Sequence, residues 1–330
     1  MILTETEVRR NFIVRPPTME DLQAAYELAI KCETFDMGEP ETTLDEVQVA
    51  WQNPDFNLQT DLWLVFTPEG KLVGRGVLID APPVMMYAGS NIDPDFRGRG
   101  IGTYLQKLQE ERAQKSITKA PDGARVVLTK GTVSTNLGAK QLYEQNGYNL
   151  VRHFYSMEIE MTALPPVPQL PSHIQIRTFE KGLERAVYKA DDEAFRDHWG
   201  FVPGKFEDWE HQFFNNESFD PTLWFLAMDG NEIAAITLCK NDGLQVGWID
   251  TVATRRPWRK QGLALALLYH AFGEFYKRGR RRVGLGVDAA SLTSATRLYE
   301  KAGMHVIRQF DRYQKELRPG QDLSTQTLGN

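Results

Sequence analysis

The chain has 330 residues, enough for two domains of ordinary size, each with its own hydrophobic core. Hydrophobic residues make up 42% and charged residues 25%, a composition of folded globular proteins that excludes a disordered or fibrous chain. The net charge of -6 excludes a general nucleic-acid binder, which needs a clustered positive field. Because there are only two cysteines and no apolar stretch near the roughly 18 residues of a membrane span, we expect a cytoplasmic protein without disulfides or membrane contact.

Both halves of the chain predict the same order of strands and helices, with hairpin turns at Pro68-Glu69-Gly70 and Asp229-Gly230-Asn231. The first half places strands at 12–15, 62–67, 71–80, 84–92, 125–128 and 149–160, and the second at 174–177, 223–228, 232–239, 246–252, 283–287 and 305–316. Helices are expected at 101–114 and 263–276, after the fourth strand of each half. This order indicates an α/β fold with a central sheet flanked by helices.

The sequence contains an internal repeat. The segment Arg97-Gly98-Arg99-Gly100-Ile101-Gly102 recurs 162 residues later (259 − 97) as Arg259-Lys260-Gln261-Gly262-Leu263-Ala264. Further along, Leu142-Tyr143-Glu144 recurs 156 residues later (299 − 143) as Leu298-Tyr299-Glu300. Matches in the same order at nearly constant offset predict two copies of one domain. We expect domains at 11–162 and 172–318, a proline-rich linker over 163–171 and a flexible tail over 319–330.

Each glycine-rich segment lies between a strand and an amphipathic helix, where unpaired backbone amides and the helix dipole attract anions. Pyrophosphate is the expected ligand, and Arg97 and Arg259 add positive charge. Neither segment is a dinucleotide fingerprint, because Leu105 replaces the last glycine, and neither continues into the Gly-Lys-Ser/Thr of a P-loop. A single turn of this kind is often only a tight connection, but its duplication favours a binding site.

The pattern R-x-x-G-x-G/A after a strand, followed by N-x-x-A-x-x-L-Y-E-x-x-G-Y/F, resembles the GNAT superfamily of acetyl-coenzyme A dependent N-acetyltransferases. The resemblance spans nearly the whole chain twice, and the tandem arrangement is similar to that of the mycothiol synthase family. It implies two domains, each with a mixed, mostly antiparallel sheet that opens into a V-shaped gap. It also places the coenzyme A pyrophosphate on the amides of 97–102 and 259–264.

The same resemblance implies further contacts to coenzyme A. Pantetheine is expected to pair with the strand ends near Ile92 and Val252. The family's motif asparagine maps to Asn136, whereas the second copy has Ser291 there and one extra residue before Ala295. That departure puts the polar contact in doubt in the second copy, not the fold.

Amine acetylation needs a base to deprotonate the amine and an acid to protonate the leaving thiolate. Tyr143 and Tyr299 resemble the family's general acid, although a tyrosine in such a helix also simply packs inward. For the base, the second copy offers Asp250 on the strand before the turn, where the first copy has Ala88. We therefore favour the second copy as catalytic. A degenerate first copy, the opposite assignment and a salt-bridged Asp250 are the alternatives that stay open.

The expected activity is transfer of an acetyl or other short acyl group to a primary amine of a small molecule or peptide, by a monomer or homodimer. The alternative is a noncatalytic acyl-coenzyme A sensor or scaffold. Acceptor contacts are expected near Asp197 and His198 or, in the first copy, near the acids Glu33 and Asp36. The six histidines form no metal-binding motif, so no metal is expected.

Overall fold

The computed structural model describes residues 5–215, 217–241 and 244–327. The last residues of the expected tail, 328–330, lie outside this description. The helices are α1 (Glu5–Asn11), α2 (Leu22–Met37), α3 (Leu44–Gln52), α4 (Leu58–Asp61), α5 (Ile101–Ser116), α6 (Leu137–Gln145), α7 (Glu184–Phe195), α8 (Phe206–Phe214), α9 (Leu263–Lys277) and α10 (Ala295–Lys301). The strands are β1 (Ile13–Arg15), β2 (Leu62–Phe66), β3 (Leu72–Ile79), β4 (Met85–Ile92), β5 (Val126–Val133), β6 (Asn149–Glu160), β7 (Ile174–Thr178), β8 (Phe219–Asp229), β9 (Glu232–Lys240), β10 (Val246–Thr254), β11 (Arg282–Asp288) and β12 (His305–Arg318).

The chain divides into two compact units. Unit 1 contains the residues up to Arg152 together with Phe310–Leu323, and unit 2 contains His153–Gln309 and the residues from Ser324 onward. The units differ from the two sequence copies at their last strands, because most of β6 belongs to unit 2 and most of β12 to unit 1. The expected linker, 163–171, lies within unit 2.

Each unit has one mixed sheet, as predicted. In unit 1 the strand order is β1-β2-β3-β4-β5-β12, and only β4 and β5 run parallel. In unit 2 the order is β7-β8-β9-β10-β11-β6, and only β10 and β11 run parallel. The mostly antiparallel α/β fold expected from the sequence is thereby confirmed.

The parallel pair of each unit separates partway along its length. Pairing of β4 with β5 ends at Tyr87 and Thr129, although β4 continues to Ile92. Pairing of β10 with β11 ends at Ile249 and Leu285, although β10 continues to Thr254. The V-shaped gap is therefore present in both units, and it leaves backbone groups of β4 and β10 without a strand neighbour on that side.

Helices cover both faces of the unit 1 sheet. On one face α5 packs so closely that a Cβ on Gly76 would lie 3.0 Å from Leu105, which explains the glycine. The other face carries α2 and α3, whose residues Leu28 and Trp51 are buried against Leu64 of β2. Unit 2 repeats this arrangement with α9 on one face and α7 and α8 on the other.

Part of the segment expected to be flexible makes specific hydrogen bonds. In unit 1 the Gln321 amide donates to the Gly123 carbonyl at 2.8 Å, and the Arg125 amide donates back to Gln321 at 2.7 Å. In unit 2 the Gly200 amide donates to the Thr325 carbonyl at 2.7 Å. Backbone groups of this segment thus pair with one loop in each unit.

Candidate functional site

In unit 1 the glycine-rich turn presents backbone amides at the start of α5. Gly98 and Gly100 have φ values of 74° and 80°, and a Cβ on Gly98 would meet open space. The Tyr104 amide makes the first helical hydrogen bond, to Gly100 at 3.0 Å. The amides of Ile101, Gly102 and Thr103 precede that bond and have no acceptor within the helix. The turn thus fits an oxyanion such as a pyrophosphate.

Unit 2 keeps this geometry with a less suitable sequence. Gly262 also has φ 80°, and the Ala266 amide donates to its carbonyl at 3.0 Å. Lys260, which takes the place of Gly98, has φ 63°, a left-handed conformation that costs a residue with a Cβ roughly 1–2 kcal/mol. The amides of Leu263 and Ala264 again precede the first helical bond. The turn is therefore preserved at a local cost.

Arg97 and Arg259 each link the start of a glycine-rich turn to a carboxylate and to a backbone carbonyl at the end of the preceding strand. Arg97 binds Asp36 through both Nη atoms, at 2.7 and 2.8 Å, and donates from Nε to the Ile92 carbonyl. Arg259 binds Asp197 at 2.5 Å and donates from Nε to the Thr254 carbonyl at 3.1 Å. The guanidinium groups expected to face phosphate are thus ion-paired with carboxylates.

Sequence reasoning missed the structural partners of these arginines. Asp36 and Asp197 are 161 residues apart (197 − 36), close to the repeat offset, which is the signal that identifies them. Arg256 and then Arg259 lower the pKa of Asp197 by hydrogen bonding, so it stays ionised. Glu33 is also engaged, accepting from the Glu41 and Thr42 amides at 2.9 and 3.0 Å.

The remaining turn residues are more exposed. Arg99 donates to the Asp95 carbonyl at 3.1 Å and lies over the Phe96 ring. Lys260 and Gln261 are exposed on the surface of unit 2. In unit 1 a cavity of about 240 Å³ begins at the turn and follows α5. Its lining residues are Gly100, Thr103, Tyr104, Gln106, Lys107, Glu110 and Asn146. An elongated ligand with an anionic group at the turn fits this shape.

The other residues predicted to contact coenzyme A either cap helices or lie in strands. Asn136 accepts from the Ala139 amide at 3.1 Å and donates to Asp36 at 3.3 Å. It therefore links the start of α6 to the Arg97–Asp36 ion pair. Ser291 accepts from the Ala295 amide at 3.3 Å. Val252 lies in β10 opposite Thr237, and the Ile92 carbonyl also accepts from Cys32 at 3.2 Å.

Both candidate acids are buried tyrosines. Tyr143 donates to the Gly131 carbonyl at 3.4 Å and packs edge-on against Tyr313. Tyr299 is buried in the unit 2 core beside Ala302 and Met304. Burial raises the pKa of each phenol above its ordinary value, so both stay protonated at neutral pH and can donate a proton.

Asp250 lies at a β-bulge. The register of β10 against β9 shifts between Ile249 and Thr251, and exposed Asp250 is the extra residue. It also directly follows the last parallel pair with β11, at the mouth of the gap. By contrast, β4 keeps a regular register, and Ala88 pairs with Leu78 and is fully buried. The structure therefore gives Asp250 no counterpart in unit 1.

The gap of unit 1 is bridged by buried polar side chains. Lys130, the first residue of β5 beyond the parallel pairing, donates to Gln109 at 2.5 Å and is 2% exposed. Gln109 in turn donates to the Gly89 carbonyl of β4 at 2.6 Å. The matching position of α9 is Ala271, and the first residue of β11 beyond its parallel pairing is Gly286. Neither has a polar side-chain atom, so this bridge is specific to unit 1.

The loop after α7 is built from aromatic residues. His198 stacks on Phe195 with ring centroids 4.2 Å apart, and burial lowers its pKa. Trp199 donates from Nε1 to Gln326 at 2.9 Å. Within the described residues, no group of His, Cys, Asp and Glu side chains has the makings of a metal site. None of the described helices is both long and apolar enough to span a membrane.

An antiparallel sheet that opens beside an anion-binding helix start, found in both units, defines an N-acyltransferase of the acetyl-coenzyme A dependent class. The sequence model of the acetyltransferase (GNAT) family matches residues 22–148 and 185–304, and the chain belongs to this family. Its acyl donor is acetyl-coenzyme A, as predicted.

Curated relatives and solved structures agree with this assignment. A mycothiol acetyltransferase from Acidothermus cellulolyticus is 30% identical over 73% of this chain and 75% of its own length. One from Thermobispora bispora is 28% identical over 64% of this chain and 70% of its own.

Among solved structures, a GCN5-related N-acetyltransferase from Sphaerobacter thermophilus is 37% identical, with a TM-score of 0.80 over 99% of this chain and all of that one. A tandem GNAT protein from the clavulanic acid biosynthesis pathway shares the fold, with a TM-score of 0.69 at 15% identity over 94% of this chain and 99% of that one.

Proposed function

We propose that the chain acetylates a primary amine of a small molecule and that unit 2 carries out the reaction. The observation that carries this proposal is the β-bulge in β10, which presents Asp250 at the mouth of a gap without the Gln109–Lys130 bridge. Unit 1 lacks the bulge, and its bridge caps the Gly89 carbonyl on the β4 edge.

In this mechanism Asp250 accepts a proton from the acceptor's ammonium group through water, because its exposed position suits an incoming substrate. Acetyl-coenzyme A supplies the thioester when it is bound. The amides of Leu263 and Ala264 hold the anionic end of the donor. The Tyr299 hydroxyl, kept protonated by burial, donates its proton to the departing sulfur.

The small-molecule acceptor is proposed from the curated relatives, which are named mycothiol acetyltransferases. A noncatalytic acyl-coenzyme A-binding role fits unit 1 alone, because that unit keeps the anion-binding turn while side chains bridge its gap. The two roles are compatible in one chain.

A thiol-release assay with acetyl-coenzyme A tests this proposal across a panel of small primary amines and short peptides. We expect release that depends on a small amine, and a fall in kcat/KM of about 10²-fold in Asp250→Asn. Asp208→Asn, at an exposed carboxylate of α8, is the matched control and should retain wild-type turnover. Full turnover in Asp250→Asn would remove the base assignment, and persistent coenzyme A binding without amine-dependent thiol release would favour the sensor.

A further inference from the structure

Arg75 lies in the middle of β3 in unit 1 and faces α2 and α3. It pairs with Leu64 of β2 and Asn91 of β4. Its neighbours Gly74 and Gly76 face α5, where a Cβ on either would approach Ile101 or Leu105. Because side chains alternate along a strand, Arg75 points to the opposite face. That face contains the core formed with α2 and α3.

The Arg75 guanidinium has no partner among the described residues. Its Nε is buried without a hydrogen bond, and no described carboxylate forms an ion pair with it. Burial lowers the pKa of Arg75 to about 10, and the charge of Glu33 only partly offsets this. Both carboxylate oxygens of Glu33 are occupied, one by the Glu41 and Thr42 amides and the other by the Thr42 hydroxyl. A half-buried guanidinium in this state is costly unless an anion binds it.

A second unsatisfied donor lies on the same face. Trp51 of α3 is 3% exposed, and its indole Nε1 is buried without a hydrogen bond. It belongs to the same hydrophobic cluster as Leu64, the strand partner of Arg75. Buried polar groups in folded proteins are nearly always paired, so each of these two donors favours an acceptor from outside the chain.

Further polar side chains from β4 lie on the same face as Arg75. Asn91 lies directly across from Arg75, and Tyr87 is four residues back along β4 on the same face. The Arg312 guanidinium lies 5.4 Å from the centre of the Tyr87 ring. Arg75 lies in the field of the Glu33 carboxylate, so it is the unsatisfied Nε donor, not a net positive field, that favours an anionic ligand.

We propose that unit 1 binds a small carboxylate on the α2–α3 face of its sheet, through the Arg75 guanidinium and the Trp51 indole N–H. A guanidinium presents parallel N–H groups that match the two oxygens of a planar carboxylate. The site differs from the coenzyme A turn, which lies at the start of α5. It also does not rest on unit 2 being catalytic.

Unit 2 has no equivalent of this site. Ile236 takes the place of Arg75, because it pairs with Leu226 as Arg75 pairs with Leu64. Ile236 is 1% exposed, so the fold accepts an apolar side chain at this position. The variant Arg75→Ile is therefore a test that removes the charge while remaining compatible with the core.

The test is a thermal-shift and calorimetric titration of the full chain with succinate and benzoate, using succinamide as the uncharged control. We expect one or both carboxylates, but not succinamide, to raise the Tm. Arg75→Ile should lower carboxylate affinity by about tenfold or more, and Trp51→Phe by a smaller factor. Arg10→Ile, which removes an exposed arginine of α1, should behave as wild type.

The ligand-free Tm separates a binding role from a structural one. Without ligand, Arg75→Ile should be at least as stable as the wild type, because the substitution removes an unpaired buried charge. A ligand-free Tm several degrees lower would assign Arg75 a structural role and overturn the proposal. The absence of a shift with either carboxylate, or an unchanged shift in Arg75→Ile, would overturn it as well.

Discussion

Units 1 and 2 have the same glycine-rich turn at the start of a helix but differ in the gap beside it. Unit 1 has the more favourable turn sequence, with Gly98 where unit 2 places Lys260 in a left-handed conformation. Unit 2 has the bulged strand with Asp250, whereas Gln109 and Lys130 bridge the gap of unit 1. Anion binding at a helix start depends mainly on backbone amides and so survives changes in side chains. The proposed chemistry depends on a few side chains, so the two copies of a repeat can separate binding from turnover.

The largest expected effect comes from blocking one turn at a time. Gly100 and Gly262 have the same φ of 80°, so a tryptophan at either position meets the same left-handed backbone strain. If unit 2 is catalytic, Gly262→Trp should reduce turnover by about 10²-fold or more, and Gly100→Trp by less than about twofold. Thiol release measures turnover, and calorimetry with coenzyme A counts the sites that remain. The reverse ranking would assign the reaction to unit 1.

The two buried tyrosines should also differ between the units in their effect on kcat, but by less than the turn variants. Tyr299→Phe removes the proposed proton donor and should lower kcat by about 10²-fold while KM for acetyl-coenzyme A changes little. Tyr143→Phe removes a hydroxyl that binds the Gly131 carbonyl and should leave kcat within about twofold. Steady-state kinetics with both variants checks this. Equal losses would indicate that the hydroxyls support folding, because both phenols are buried alike.

Lys130 gives unit 1 a distinctive pH dependence. Burial lowers the pKa of Lys130 to about 7 from its ordinary 10.5. Between pH 7 and 10 the unfolded chain binds more protons at this position, so its contribution makes the free energy of unfolding rise with pH. Lys130→Met should flatten that rise and add on the order of 1–3 kcal/mol at pH 7. Urea unfolding at several pH values measures it, with exposed Lys115→Met as the control. An unchanged slope in Lys130→Met would contradict the prediction.

Asp191 of α7 should act in the opposite direction in unit 2. Trp209 donates to one of its oxygens at 3.0 Å, the other is buried without a partner, and burial raises the pKa of Asp191 to about 7. Between pH 4 and 7 the folded state binds more protons here, so this contribution to stability falls as pH rises. In the same unfolding experiments, Asp191→Asn should remove this fall in the free energy of unfolding, which we expect to be about 1–2 kcal/mol. The exposed Asp208→Asn should leave it in place.

Much of the fold could be predicted because its signals are local. Alternating strands, hairpin turns and the repeat placed most elements close to their observed bounds, and the glycine pattern located both turns. The partners of Arg97 and Arg259 were missed, because Asp36 in α2 and Asp197 in the turn after α7 lie about 60 residues earlier in the chain. The contact of Lys130 with Gln109 was missed for the same reason, since it joins a strand to a helix.

The sequence by itself determined the two-copy architecture, the two glycine-rich turns and the family, because each follows from residue types at fixed spacing. Only the tertiary structure decided which residues fill each gap, that Asp250 lies on a bulge and which sheet receives each last strand. β6 and β12 have matching positions in the repeat, so the pattern of either suits the edge of β5 or of β11 equally well. The observed pairing places β12 beside β5 and β6 beside β11, and this depends on contacts between residues far apart in the chain.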